Sequence, residues 1–120
     1  MKIAISAEGK ETTSLLDERF GRCNYFHIYD DNGQLLKVLD NNGLTANGGA
    51  GIAASQQIID EHVDVLITGV LGPNAFNMIF RAGIRAYTCP SMAIASALKQ
   101  YQSGQLEAIV QKGPAHGGLH

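Results

Sequence analysis

The sequence predicts an α/β fold, a three-layer α/β/α sandwich built on a mixed five-stranded sheet. Val63–Ile67 is a short apolar, largely β-branched run of the kind found in a parallel strand buried on both faces. Gly69, Gly72 and Pro73 follow directly, a glycine turn that ends on a helix N-terminus, where proline's missing N–H is harmless. Earlier in the chain Asp31-Asn32-Gly33 is a strong hairpin signal between two strand-like runs. Antiparallel and parallel pairings therefore share one sheet.

Taken in order, Lys2–Ser6 is the first buried strand, and residues 7–17 form a polar loop without clear period. The charged turn Asp17-Glu18-Arg19-Phe20-Gly21-Arg22-Cys23 leads into an aromatic strand, Tyr25–Tyr29, and the hairpin returns as Leu35–Leu39. A long Asn/Gly-rich loop runs to Gly51. Helix one spans about Ala50–His62, with Ile52, Ser55, Ile58 and Ile59 as its inward stripe. After Val63–Ile67 comes a second helix, Pro73–Ala82, with Phe76, Ile79 and Phe80 on one face and Gly83 as its stop. Ile84–Tyr87 is the next strand. Ser91 is placed to cap a third helix, Ser91–Gln102, with Ile94, Leu98 and Tyr101 inward. Leu106–Val110 is a candidate edge strand. Right-handed crossovers put the helices on the sheet faces. Residues 1–110 read as one domain and residues 111–120 as a flexible Gly/His tail.

A length of 120 residues suits one domain that folds without a staple. A net charge of -2 lacks the basic excess of a nucleic-acid-binding surface. No apolar run approaches the roughly 20 residues of a membrane span, and the N-terminal apolar segment is too short for a signal peptide. These features place the chain in the cytoplasm, where the two cysteines, Cys23 and Cys89, are reduced thiols.

Four turns should gather at one sheet edge: Phe20–Cys23, Asn47–Gly51 with Gly48 and Gly49, Gly69–Asn74 with Gly72, and Cys89–Ser91. Three precede helices, whose N-termini offer free N–H groups and partial positive charge. Arg19 and Arg22 add full charges, so the collective signal is an anion pocket. A Walker A loop is excluded because no Lys follows a glycine run at the required spacing, and Asn47–Gly51 has neither the spacing nor the place of a dinucleotide fingerprint. Cys23 is either a soft-metal ligand, its thiolate favoured by Arg22, or a small half-buried residue entering a strand. Cys89, before Pro90, reads as packing. His62 sits at a helix end, and His27 in a strand reads as partly exposed. His116 and His120 form His-x-x-x-His in a glycine-rich tail, an opportunistic metal-binding tail at most. No Gly-x-Ser-x-Gly elbow or recognisable triad is present.

Three stretches taken together resemble the dinitrogenase iron–molybdenum cofactor-binding family, which includes NifX-type carriers and the C-terminal domain of NifB. They are Asp17–Cys23 with Phe26, Gly69-x-x-Gly72-Pro73-Asn74-Ala75, and Ala82-Gly83-Ile84 leading to Tyr87. The resemblance implies a ribonuclease H-like sandwich with strand order 3-2-1-4-5 and strand 2 antiparallel. It also implies a non-catalytic carrier or scaffold for an anionic metal–sulfur cluster, iron–molybdenum or another, served by a cofactor-donating or cofactor-accepting protein. Arg19, Phe20, Gly21, Arg22, Gly69, Gly72 and Asn74 then flank the cleft, with amides near Gly49 donating hydrogen bonds and Cys23 as the direct ligand if there is one. A nuclease of this fold needs carboxylates around paired metals, one of them on the first strand; Lys2–Ser6 carries none. The class-different alternative is a regulatory or interaction domain that takes a phosphate-bearing metabolite in the same cleft.

Overall fold

The computed structural model describes residues 1–113. The strands are β1 (Lys2–Ala7), β2 (Tyr25–Asp30), β3 (Leu35–Asp40), β4 (Val65–Thr68), β5 (Arg85–Thr88) and β6 (Glu107–Ala108). The helices are α1 (Ala50–Asp60), α2 (Pro73–Arg81) and α3 (Ile94–Gln102). Short 3-10 turns form at Phe20–Arg22 and Asn42–Thr45.

The sheet order is β3-β2-β1-β4-β5-β6. β1 runs antiparallel to β2 and parallel to β4, and β4 runs parallel to β5. The expected order of the first five strands holds, but the count of five does not. Tyr87↔Ala108 and Thr88↔Glu107 add β6 as a sixth, antiparallel edge strand. β6 falls inside the candidate edge strand Leu106–Val110 and keeps only two exposed residues of it.

Alternation along the strands builds two cores. Ala4, Phe26, Ile28 and Leu66 face Ala54 and Ile58 of α1 and Ala75 and Ile79 of α2. Ile3, Ile5, Tyr29, Val65 and Ile67 face Ile94, Ala97 and Leu98 of α3. β4 is buried along its whole length, as a strand sandwiched between helical layers must be.

Four expectations need correction. His27 is fully buried, not partly exposed: β2 is an interior strand, and the loop after β1 closes over it. Its Nε2–H donates to Gly9 O at 2.8 Å. α3 starts at Ile94 with Ala93 as its cap, and Ser91 N instead donates to the Glu18 carboxylate at 2.8 Å. α1 ends at Asp60, since His62 turns to a positive φ of 58° and breaks the helical path. Ile52 and Phe80 are exposed rather than core; Phe80 stacks on Phe76 at 5.9 Å along the outer side of α2.

Candidate functional site

The site lies at the carboxyl edge of β4 and is assembled from three turns. Residues 17–19 are tied to the end of β4. Ser6 Oγ lies 2.6 Å from Asp17 O and 2.8 Å from Thr68 Oγ1. Val70 N donates to Glu18 O at 3.2 Å, and Arg19 forms a parallel bridge with Val70. Gly69 makes this approach possible, because any side chain there would strike the Glu18 backbone. Gly69 is thus a spacer behind the cleft and does not line it.

The Phe20–Arg22 turn then packs on the start of α1. A methyl on Gly21 would sit 3.0 Å from Gly51 N and 3.2 Å from Ala50 C, backbone atoms that cannot yield. Gly43 closes the same junction from below, where a methyl would lie 2.7 Å from both Ala50 O and Gly21 O. A methyl on Gly51 would meet the Ala75 Cβ at 3.5 Å, an ordinary contact, where α1 and α2 begin side by side. Asn41 locks the assembly. Its Nδ2 donates to Cys23 O at 2.8 Å and Gly21 O at 3.2 Å, while its Oδ1 accepts from Gly43 N at 2.8 Å.

These turns surround a cleft of about 540 Å³. Arg19, Phe20, Gly21 and Arg22 line it from the first turn, Gly48 and Gly49 from the second, and Gly72 and Asn74 from the third. Both helices point their N-termini at it. α1 starts after Gly49 and α2 after Gly72; neither has a side-chain cap or an acid in its first turn. The first N–H groups of each helix therefore lack intrahelical partners, and each terminus carries about half a positive charge. Arg22 is exposed and forms no ion pair among the described residues. Arg19 is different, since its Nε and Nη2 both bind the buried Asp17 carboxylate, at 3.1 and 3.0 Å. That hydrogen bond raises the Arg19 pKa and pairs the guanidinium with Asp17. Ile52 and Val70, both nearly half exposed, add an apolar rim.

The thiol of Cys23 does not line the cleft. It is completely buried beneath the Phe20–Arg22 turn, where Sγ donates to Phe20 O at 3.3 Å. Burial pushes its pKa up to about 12, against the expectation that Arg22 would favour a thiolate. Desolvation outweighs an arginine that points to solvent. The Cys89–Ser91 turn also stays out of the cleft, because it leads to α3 on the opposite sheet face. His116 and His120 lie outside the described residues. No cluster of three or more His, Cys, Asp or Glu forms among the described residues.

Three residues were missed from sequence. Ile52 looked like core because it shares the heptad spacing of Ile59. Val70 looked like part of a turn, and Asn41 like one of several loop asparagines. Only Asn41 left a usable signal, since Asn two residues before Gly43 is the pattern of a side chain that bonds its own turn.

The family model described as dinitrogenase iron-molybdenum cofactor matches residues 1–104. The chain belongs to that family. Within reach of the family is the apo form of the orange protein from Desulfovibrio gigas, a similar solved structure with 31% identity. It covers 93% of this chain and 95% of that one, with a TM-score of 0.87. A protein of Thermotoga provisionally named NifB is 29% identical, with a TM-score of 0.77 over 93% of this chain and 98% of its own. A provisional dinitrogenase from Methanocaldococcus jannaschii, at 21% identity, 92% and 96% coverage and a TM-score of 0.64, shares the fold. No curated protein sequence matches the chain. No described helix is long and apolar enough to cross a membrane.

Proposed function

We propose that this member of the family carries an anionic metal–sulfur cluster of the iron–molybdenum kind, as cargo, and catalyses nothing on it. The observation that supports this most is the convergence on one cleft of two uncapped helix N-termini and Arg22, which forms no ion pair among the described residues. Such an arrangement stabilises negative charge without a ligating atom. The residues present suit an anion held by backbone N–H groups and charge, with Ile52 and Val70 against its less polar faces. The site residues are Arg19, Phe20, Gly21, Arg22, Gly48, Gly49, Gly72 and Asn74. Cys23 enters as a neutral thiol under the floor, and Gly69 as the spacer behind it.

Residues 1–110 act as one cofactor-binding unit in the cytoplasm, receiving the cluster from one protein and passing it to another. A ribonuclease H-like ancestry accords with the sheet order. β1 carries no acid, so the two-metal chemistry of nucleases has no foothold. The apolar rim favours a metal–sulfur guest over a phosphate-bearing metabolite, whose charged oxygens gain nothing from Ile52 and Val70.

Anaerobic incubation with iron, molybdenum or copper salts plus sulfide, followed by desalting, tests the proposal. A charge-transfer absorption that travels with the protein is expected. Protein that emerges colourless under every combination, or that binds inorganic phosphate tightly instead, refutes it.

A further inference from the structure

Charge is divided unevenly along the chain. Residues 1–64 hold ten of the eleven acids and five of the nine Lys and Arg residues. Residues 65–113 hold the other four Lys and Arg residues and a single acid, Glu107. α2 and the segment after β6 both belong to this acid-poor part. In that segment Ile109 N donates to Ala86 O at 2.8 Å, and Ile109 packs on the same core as Phe76. Gly113 N donates to Leu71 O at 2.7 Å, so residues 109–113 run from β5 to the chain just before α2.

α2 exposes an apolar strip. Ala75 and Ile79 face the sheet, and Phe76 and Phe80 each follow them by one residue, about 100° further round the helix. The two rings stack at 5.9 Å with their planes 10° apart, and Phe80 is 72% exposed. The strip begins where the cleft ends, since Pro73–Ala75 line the cleft and Phe76 is the next residue. Phe80 lies about 10 Å along the axis from Pro73. Cations stand around the strip: Arg81 at the end of α2, Lys112 in the returning segment and Arg22 at the cleft. All three are exposed, and none forms an ion pair among the described residues. α2 itself carries no acid.

We propose that this face of α2 is the docking surface for an acidic amphipathic helix of a partner protein. The partner helix lays aliphatic side chains over Phe76 and Phe80, anchors one turn apart, and sets its carboxylates against Arg81, Lys112 and Arg22. A second copy of this chain does not supply the occupant, because α1 carries one acid and α3 none. That the partner is the protein exchanging the guest rests on the carrier function above; the docking itself does not.

The test uses the guest-free, isotope-labelled full chain. It is titrated with a synthetic helical peptide of about 16 residues, Leu at i, i+3, i+4 and i+7 and Glu elsewhere, and with a counterpart carrying Lys for every Glu. The Glu peptide should shift the backbone amides of Phe76–Arg81 and of residues 109–113 more than those of α3. The Lys peptide should bind at least about tenfold more weakly. Phe80→Ser and Arg81→Glu, both at exposed positions and both checked by urea unfolding, should each weaken the Glu peptide about fivefold or more. Absence of shifts on α2, equal binding of the two peptides, or unchanged binding in either variant overturns the inference. No cluster is present in the titration, so a negative result removes the docking and leaves the carrier function standing. Protein that emerges colourless from the desalting experiment does the reverse.

Discussion

Removing the Cys23 thiol should change how stability depends on alkaline pH. Burial raises this thiol from 9.0 to about 12, so the folded protein keeps its proton where the unfolded chain gives it up. The sign follows from proton counting. Below pH 9 the thiol is neutral in both states and its contribution is complete. Between 9 and 12 the unfolded chain binds fewer protons, and stability falls by about 1.4 kcal/mol per pH unit. At pH 10.5 the loss is about 2 kcal/mol, and by pH 12 it totals about 4 kcal/mol, a large share of a typical domain's 5–15 kcal/mol. Cys23→Ala lacks the titrating group, while Cys89 and the tyrosines remain in both proteins and cancel. Urea unfolding of the pair at pH 8, 9.5 and 10.5 measures the difference. The advantage of the unaltered protein over Cys23→Ala should shrink by the amounts given. Parallel profiles would mean that the thiol is solvated or ionised in the fold, and the argument that it is no ligand would fail with them. At pH 8 the same thiol should react with a disulfide reagent roughly a thousandfold more slowly than an ordinary one.

Arg22→Glu should weaken retention of an anionic cluster on the order of tenfold or more, and high salt should weaken the unaltered protein in the same direction; desalting experiments at two ionic strengths check both. Arg19→Gln should act mainly on stability, because Arg19 is committed to Asp17; a loss of retention equal to that of Arg22→Glu would reverse these roles. Gly21→Ala should cost about 1–3 kcal/mol by forcing a methyl onto the Ala50–Gly51 backbone, and should loosen the cleft with it; unchanged urea stability would contradict the close packing. Asn41→Ala strips partners from Cys23 O and Gly43 N at once and should cost about 2–4 kcal/mol, measured in the same way.

Much of the fold could be read because its signals are local. The apolar run before Gly69, the Asp31-Asn32-Gly33 turn and Pro73 each constrain a few neighbouring residues, and β4, the hairpin and the start of α2 appear where they point. The turns at residues 20–22, 48–49 and 72–74 were legible as neighbours because helix N-termini on one sheet face must share its carboxyl edge. What escaped depends on depth, which periodicity does not report. Cys23 and Ile52 exchange roles in the structure, the thiol going under the wall and the aliphatic residue out to the rim. His27 looked polar and half-exposed, yet the loop after β1 covers it and supplies Gly9 O as acceptor. The Cys89–Ser91 turn has the right composition and the wrong side, decided by the path of the chain into α3.

The glycine junction of residues 21, 43 and 51 has a lasting consequence. Where main chain abuts main chain, no side chain remains to be exchanged, and the separation of the two walls works like a fixed gauge. A lineage or a designer wishing to house a larger or smaller guest would gain little by editing the floor. Adjustable dimensions lie at the lip, in Ile52 and Val70, where each methyl added or removed alters the aperture while the frame beneath keeps its shape.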